Sequence, residues 1–130
     1  MVAVRIVDEV NPGTRETAWT LEILRERTTA RELIRSRVYQ EVTEYNARTS
    51  GLFAGLVQPT EAECVLNGYR VRAGRKLEWE TQYARAQEAF RHNGFLLLVD
   101  DRQLTDLDDE VELQSGSEVT FLRLFPIVGG

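Results

Sequence analysis

The sequence predicts an α+β fold, and three observations carry that expectation. The chain opens with two runs of alternating apolar residues, Val2-Val4-Ile6 and Trp19-Leu21-Ile23, the pattern of half-buried strands. A capped segment with the apolar period of a helix follows from Thr29. Apolar strand-like runs return late, at 95–99 and 119–124, after a second helical pattern.

In order, Asn11-Pro12-Gly13-Thr14 is a turn cluster, so the first two strands form a hairpin. Thr29-Ala30-Arg31-Glu32 has capping-box spacing, with Thr29 as N-cap and Glu32 reaching back. Ala30, Leu33, Ile34, Val38, Val42 and Tyr45 then place a helix over about 30–45, with its apolar stripe on the hairpin's sheet. Residues 46–59, with Gly51, Gly55 and Pro59, read as a mobile loop. Leu52, Phe53, Leu56 and Val57 are apolar for a solvated loop, so part of it is expected to pack down.

Asn67-Gly68 lies between short apolar runs and predicts a small hairpin, Glu63–Leu66 with Tyr69–Arg72. Trp79, Tyr83, Ala86 and Phe90 share one face of a second helix over about 78–92, expected to pack on the domain's own core. Asn93-Gly94 ends that helix, with Gly94 as the C′ residue. His92 sits at its end, where positive charge suits the helix dipole, and reads as structural. Phe95-Leu96-Leu97-Leu98-Val99 is a continuous apolar run, expected to be buried on both faces or nearly so. Asp100-Asp101 turns the chain, and short pieces at Gln103-Leu104 and Val111–Leu113 flank an acidic turn. That turn (Asp106, Asp108, Asp109, Glu110) lacks the ligand alternation and central glycine of a calcium loop and reads as solvated. After Ser115-Gly116-Ser117, Val119, Phe121, Leu122 and Leu124 make the last strand.

Composition narrows the function. At 130 residues the chain is expected to be one domain over 1–124 with a tail over 125–130. Its apolar share of 42% and charged share of 28% are ordinary for a soluble protein. The longest apolar run is far short of a membrane span, and the start of the chain reads as a strand rather than a signal peptide. A net charge of −5 argues against binding a phosphate backbone, so neither nucleic acid nor membrane is an expected partner. One cysteine, Cys64, excludes an internal disulfide and suits a reducing cytoplasm. Cys64 reads as a small core residue rather than a nucleophile. With His92 the only histidine, Cys and His cannot build a metal cluster, and no nucleophile–base pattern suggests an enzyme.

Among the sixteen basic residues Lys76 is the only lysine, which leaves fifteen arginines. A GC-rich genome accounts for such a bias. So does protection from self-modification, in a protein whose own carboxyl end is transferred to amines; Lys76 is then the one side-chain acceptor for chains.

The sequence ends Phe125-Pro126-Ile127-Val128-Gly129-Gly130. Two glycines carry no Cβ, so Gly129-Gly130 can lie extended in a channel too narrow for a side chain and present a bare carboxylate. Pro126 fixes its own φ and biases Phe125 toward extended geometry, which lowers the entropy cost of threading. Phe125, Ile127 and Val128 either anchor a partner or close the end of the core.

Leu113-Gln114-Ser115-Gly116-Ser117-Glu118-Val119-Thr120-Phe121, followed by that tail, resembles the closing segment of the bacterial sulfur carriers of molybdopterin and thiamine synthesis. Leu122-Arg123-Leu124 is similar to the Leu-Arg-Leu that enters the ubiquitin tail. With the opening hairpin and helix, the chain resembles the β-grasp superfamily of ubiquitin over about residues 1–46 and 94–130. The stretch of about 51–93 is an insertion absent from the small carriers. With it, the chain looks like bacterial ubiquitin-like proteins encoded beside activating-enzyme, conjugating-enzyme and JAB-peptidase homologues, some of them linked to phage defence.

The resemblance implies a β-grasp fold with an inserted hairpin and helix, and conjugation through Gly129-Gly130. It implies an activating enzyme that binds ATP and Mg²⁺ and adenylates Gly130; this chain itself is expected to hold no cofactor or metal and no catalytic residue. Phe125–Val128 then form the partner-binding tail. The implied partners are the activating enzyme, a conjugating enzyme, a JAB-type peptidase and a target protein. Two alternatives stand beside this modifier: a sulfur carrier ending in a thiocarboxylate and served by a sulfur-transfer synthase, and a β-grasp interaction domain never activated at its tail.

Overall fold

A computed structural model describes residues 1–10, 19–48, 52–59, 61–65, 68–71 and 75–123. The fold is α+β: a five-stranded mixed sheet, two helices and two small two-stranded ribbons. In chain order the strands are β1 (Val2–Val10), β2 (Trp19–Ile23), β3 (Arg27–Thr29), β4 (Glu63–Val65), β5 (Gly68–Arg70), β6 (Phe95–Val99), β7 (Arg102–Leu104), β8 (Glu110–Glu112) and β9 (Glu118–Arg123). Helix α1 is Ala30–Arg48 and α2 is Trp79–Arg91. Among the described residues no helix is long and apolar enough to cross a membrane. The chain divides into two compact units, one of Met1–Leu33 with Ala89–Gly130 and one of Ile34–Glu88.

The first unit holds the large sheet, in the order β2-β1-β9-β6-β7. β1 and β2 pair antiparallel with Val2 opposite Ile23 and Ile6 opposite Trp19, the expected hairpin; its turn at 11–14 lies outside the described residues. β1 and β9 run parallel, with Arg5 beside Glu118 and Val10 beside Arg123. On its other edge β9 pairs antiparallel with β6, Phe95 opposite Arg123 and Val99 opposite Val119. One face of the sheet buries Val2, Val4, Ile6, Leu21, Phe95, Leu97, Val99, Val119 and Phe121. Phe95 bridges Phe90 and Phe121, with ring centroids 5.7 and 5.9 Å away. Each such side chain contributes on the order of 2 kcal/mol when fully buried.

The run at 95–99 alternates, contrary to the continuous burial its composition suggests. Phe95, Leu97 and Val99 are buried, whereas Leu96 and Leu98 stay half-exposed on the opposite face. On that face Val7 and its neighbour Thr120 are nevertheless buried, at 1% and 8% exposure.

The N-terminus of α1 is capped twice. Thr29 Oγ1 accepts from the Glu32 amide at 3.3 Å, the expected N-cap. The Ala30 and Arg31 amides donate to the carbonyls of Asp109 and Leu107, at 3.0 and 2.8 Å. α2 ends differently from expectation. The residue in the left-handed conformation is Asn93, with φ 59°, so Asn93 rather than Gly94 is C′. Asn93 donates to the Phe90 carbonyl at 3.1 Å and Gly94 to that of Ala89 at 2.7 Å, the paired bonds of a Schellman motif.

In the second unit, α1 passes the expected end at Tyr45 and runs on to Arg48. Asn46, a loop residue by sequence, sits in the helix and clamps Leu77: its Nδ2 donates to the Leu77 carbonyl and its Oδ1 accepts the Leu77 amide, both at 2.9 Å. The tract expected to be a mobile loop is packed. Phe53 and Leu56 are 2% and 3% exposed. Phe53 stands edge-on to Tyr45, centroids 5.5 Å apart, and exchanges two 2.9 Å backbone bonds with Tyr69. Side chains from both helices tie down the rest. Glu41 Oε2 accepts the Leu56 amide at 3.2 Å, Gln82 Nε2 donates to the Val57 carbonyl at 3.2 Å, and Arg85 Nε donates to that of Gln58 at 2.7 Å.

The small hairpin is present, with its turn shifted. Gly68 pairs with Val65, so Gly68 belongs to β5 and the connection is at 66–67, outside the described residues. Its φ is 150°, and a Cβ there would lie 2.9 Å from the Phe53 carbonyl oxygen. The glycine is therefore required by close backbone approach as well as by its own positive φ. Cys64 is exposed on β4. The expectation of a core cysteine fails because a ribbon this narrow cannot enclose a side chain on its outer strand. The α2 face also departs from expectation. Ala86, Phe90 and Gln82 are buried, whereas Trp79 and Tyr83 are half-exposed; Trp79 packs edge-on to Tyr39 at 5.5 Å, under the Arg35 guanidinium at 5.1 Å.

Arg37 and Glu41 form an ion pair at 2.5 Å, with side chains 1% and 10% exposed. Removing one partner strips a buried charge of a close counter-ion. Glu41→Ala is expected to lower unfolding free energy by about 3–5 kcal/mol, and the double change Arg37→Met with Glu41→Leu by clearly less. Urea unfolding of the three proteins measures this; a loss under about 1 kcal/mol in Glu41→Ala would remove the pair from its structural role.

Candidate functional site

The sequence places the chemistry at the tail, and Leu124 through Gly130 lie outside the described residues. Phe125, Pro126, Ile127, Val128, Gly129 and Gly130 therefore have no structural account; the root from which they continue does. β9 ends at Arg123, beside Val10 of β1 and opposite Phe95 of β6. The strand is hydrogen-bonded along both edges to that residue, and its Val119 and Phe121 are fully buried. A strand held on both sides fixes the position and direction of its end more firmly than an edge strand does.

The turn into β9 is equally anchored. Gly116 takes a φ of 87°, the left-handed region that glycine enters without strain. Its amide donates to the Ala3 carbonyl at 3.0 Å, and the Ser117 carbonyl accepts from the Arg5 amide at 2.8 Å. Ser117 is buried, with Oγ accepting the Gln114 amide at 2.9 Å. At the start of β9 the Glu118 amide donates to Asp100 Oδ1 at 3.0 Å, and the Asp100 amide to the Glu118 carbonyl at 2.7 Å. Asp100 has a φ of 53°, which its short polar side chain tolerates. The sequence pointed to the Ser-Gly-Ser turn; Asp100 as a fastener of β9, and the Arg5 amide as partner of the Ser117 carbonyl, were not visible in it, because these partners are far apart along the chain.

Lys76 is exposed, between half-buried Arg75 and the clamped Leu77. With Arg75, Leu77, Glu78, Thr81 and Gln82 it lines an open depression of about 220 Å³. Its ammonium is thus presented to solvent at the foot of α2. His92 and Cys64 are exposed as well.

The acidic turn is solvated, as expected, with Asp106, Asp108 and Glu110 exposed, and it is also internally bonded. Asp109 Oδ2 accepts the amides of Thr105 and Asp106 at 2.9 and 3.0 Å and the Thr105 hydroxyl at 3.4 Å. Asp106 Oδ1 accepts the Asp108 amide at 2.9 Å. Arg31 reaches Asp108 at 3.0 Å, and Arg102 donates to the Glu110 carbonyl at 3.1 Å. The three aspartate carboxylates are thus engaged with amides and an arginine. Among the described residues no group of three or more Asp, Glu, His or Cys side chains is arranged to hold a metal ion.

No protein-family model matches the chain, and neither does any curated protein or solved structure.

The Asp109 carboxyl is held below the ordinary carboxylate value, first by the Thr105 amide, then by the Asp106 amide, with smaller help from the Thr105 hydroxyl and Arg102. A depressed folded-state value means the stabilisation is complete above the unfolded value of about 3.8 and is lost as pH falls through the folded one. Asp109→Asn is therefore expected to flatten the acid limb of a stability–pH profile below about pH 4. Its Thr105 and Asp106 amides should exchange faster at neutral pH. An unchanged acid limb would show that this carboxylate is not the group responsible.

Proposed function

We propose that this chain is a β-grasp, ubiquitin-like protein modifier, activated at the Gly130 carboxylate by a partner enzyme in the cytoplasm. The observation that carries the reading is the pairing of β9. The sequence's last strand lies parallel to its first, in the middle of the order β2-β1-β9-β6-β7, and leads into Phe125–Gly130. That order, with α1 following the opening hairpin, is the one a β-grasp requires, and it supports the resemblance seen at the end of the sequence. A firmly held strand followed by a thin tail suits a protein handled at its carboxyl end.

The chemistry follows from the carboxylate. The activating enzyme joins Gly130 to the α-phosphate of ATP, releasing pyrophosphate. A cysteine thiolate of the enzyme attacks the acyl carbon and releases AMP, forming a thioester. An amine of the target attacks the thioester, gives up a proton, and leaves the thiol free and an amide formed. This chain supplies the electrophile; the catalytic groups, ATP and Mg²⁺ belong to its partners. Phe125, Ile127 and Val128 serve as apolar anchors in the enzyme, and Gly129-Gly130 keep the tail narrow. A conjugating enzyme and a JAB-type peptidase complete the set of partners.

The same tail serves a sulfur carrier equally well, and the Leu113–Val119 turn favours that second reading. There, sulfide displaces AMP and Gly130 ends as a thiocarboxylate.

Incubation with ATP and the activating enzyme encoded beside the gene should yield a Gly130 adenylate or a thioester on that enzyme. Intact mass then separates a sulfur-for-oxygen exchange at the carboxyl end from linkage to another protein. Deleting Gly130 is expected to abolish either product; full product from the truncated chain would overturn both readings and leave an interaction domain.

Chains built through a side-chain amine have Lys76 as their acceptor, since the sequence contains no other lysine. Lys76→Arg is expected to remove isopeptide-linked chains while leaving the first transfer to a target intact, as followed by gel shift and peptide mass. Side-chain-linked chains persisting in that variant would point to hydroxyl or thiol acceptors.

A further inference from the structure

We draw no further inference here: the strongest candidate, the half-exposed aromatic patch of Tyr39, Trp79 and Tyr83 beneath Arg35 where α1 meets the start of α2, has the composition of a protein-docking surface, but nothing in the structure shows what covers it.

Discussion

The large sheet depends on one pairing, the parallel contact of β1 with β9. The partners are over a hundred residues apart in sequence, Arg5 with Glu118 at one end and Val10 with Arg123 at the other. Parallel pairs cannot be closed by a tight turn, and a contact this distant in sequence carries a large loop-closure cost. Without it the sheet falls into the two-stranded hairpin of β1 and β2 and a separate antiparallel set of β9, β6 and β7. A two-stranded piece alone is marginal in water. The completely buried Val119 and Phe121 sit on β9, the strand that joins them; Ser117 immediately precedes that strand, and Asp100, just after β6, bonds its first residue Glu118.

The second constraint is local. A helix start leaves several amides without partners, and Thr29 supplies for α1 the one acceptor a reader of the sequence would expect. Two more come from the carbonyls of Leu107 and Asp109. Those carbonyls are aimed by the turn in which Asp109 gathers the amides of Thr105 and Asp106. The acidic run is thus explained by backbone geometry: Asp accepts from nearby amides in turns, and a helix N-terminus favours negative charge.

How far the sequence could be read follows from which interactions are local. The hairpin, the N-cap, the second helix and the last strand all show as period or capping chemistry within a few residues. The tail is wholly a sequence observation. What could not be read depends on distant partners. Asn46 resembles a helix stop until Leu77 is brought beside it, and the pair of bonds outweighs its poor helix propensity. Gly68 looks like half of a turn until the Phe53 carbonyl arrives against it. Residues 52–59 carry loop punctuation, yet Glu41, Gln82 and Arg85 each reserve a polar group for their backbone. Leu96 and Leu98 share the composition of Leu97; only the register of β6 against β9 separates their faces. Cys64 errs for a related reason, since apolar neighbours do not reveal that its strand is the outer one of a ribbon.

The Asn46–Leu77 clamp has a consequence for the span it encloses. One amide side chain pins together two points 31 residues apart and fixes the ends of everything between them. Closing a longer loop costs little more than closing a shorter one, with each doubling adding only about 0.6 kcal/mol. The cost of holding Asn46 and Leu77 together is therefore set only weakly by the length of the span between them. What fixes the interior of that span is its own packing, with Phe53 and Leu56 buried and the 52–59 backbone bonded to Glu41, Gln82 and Arg85.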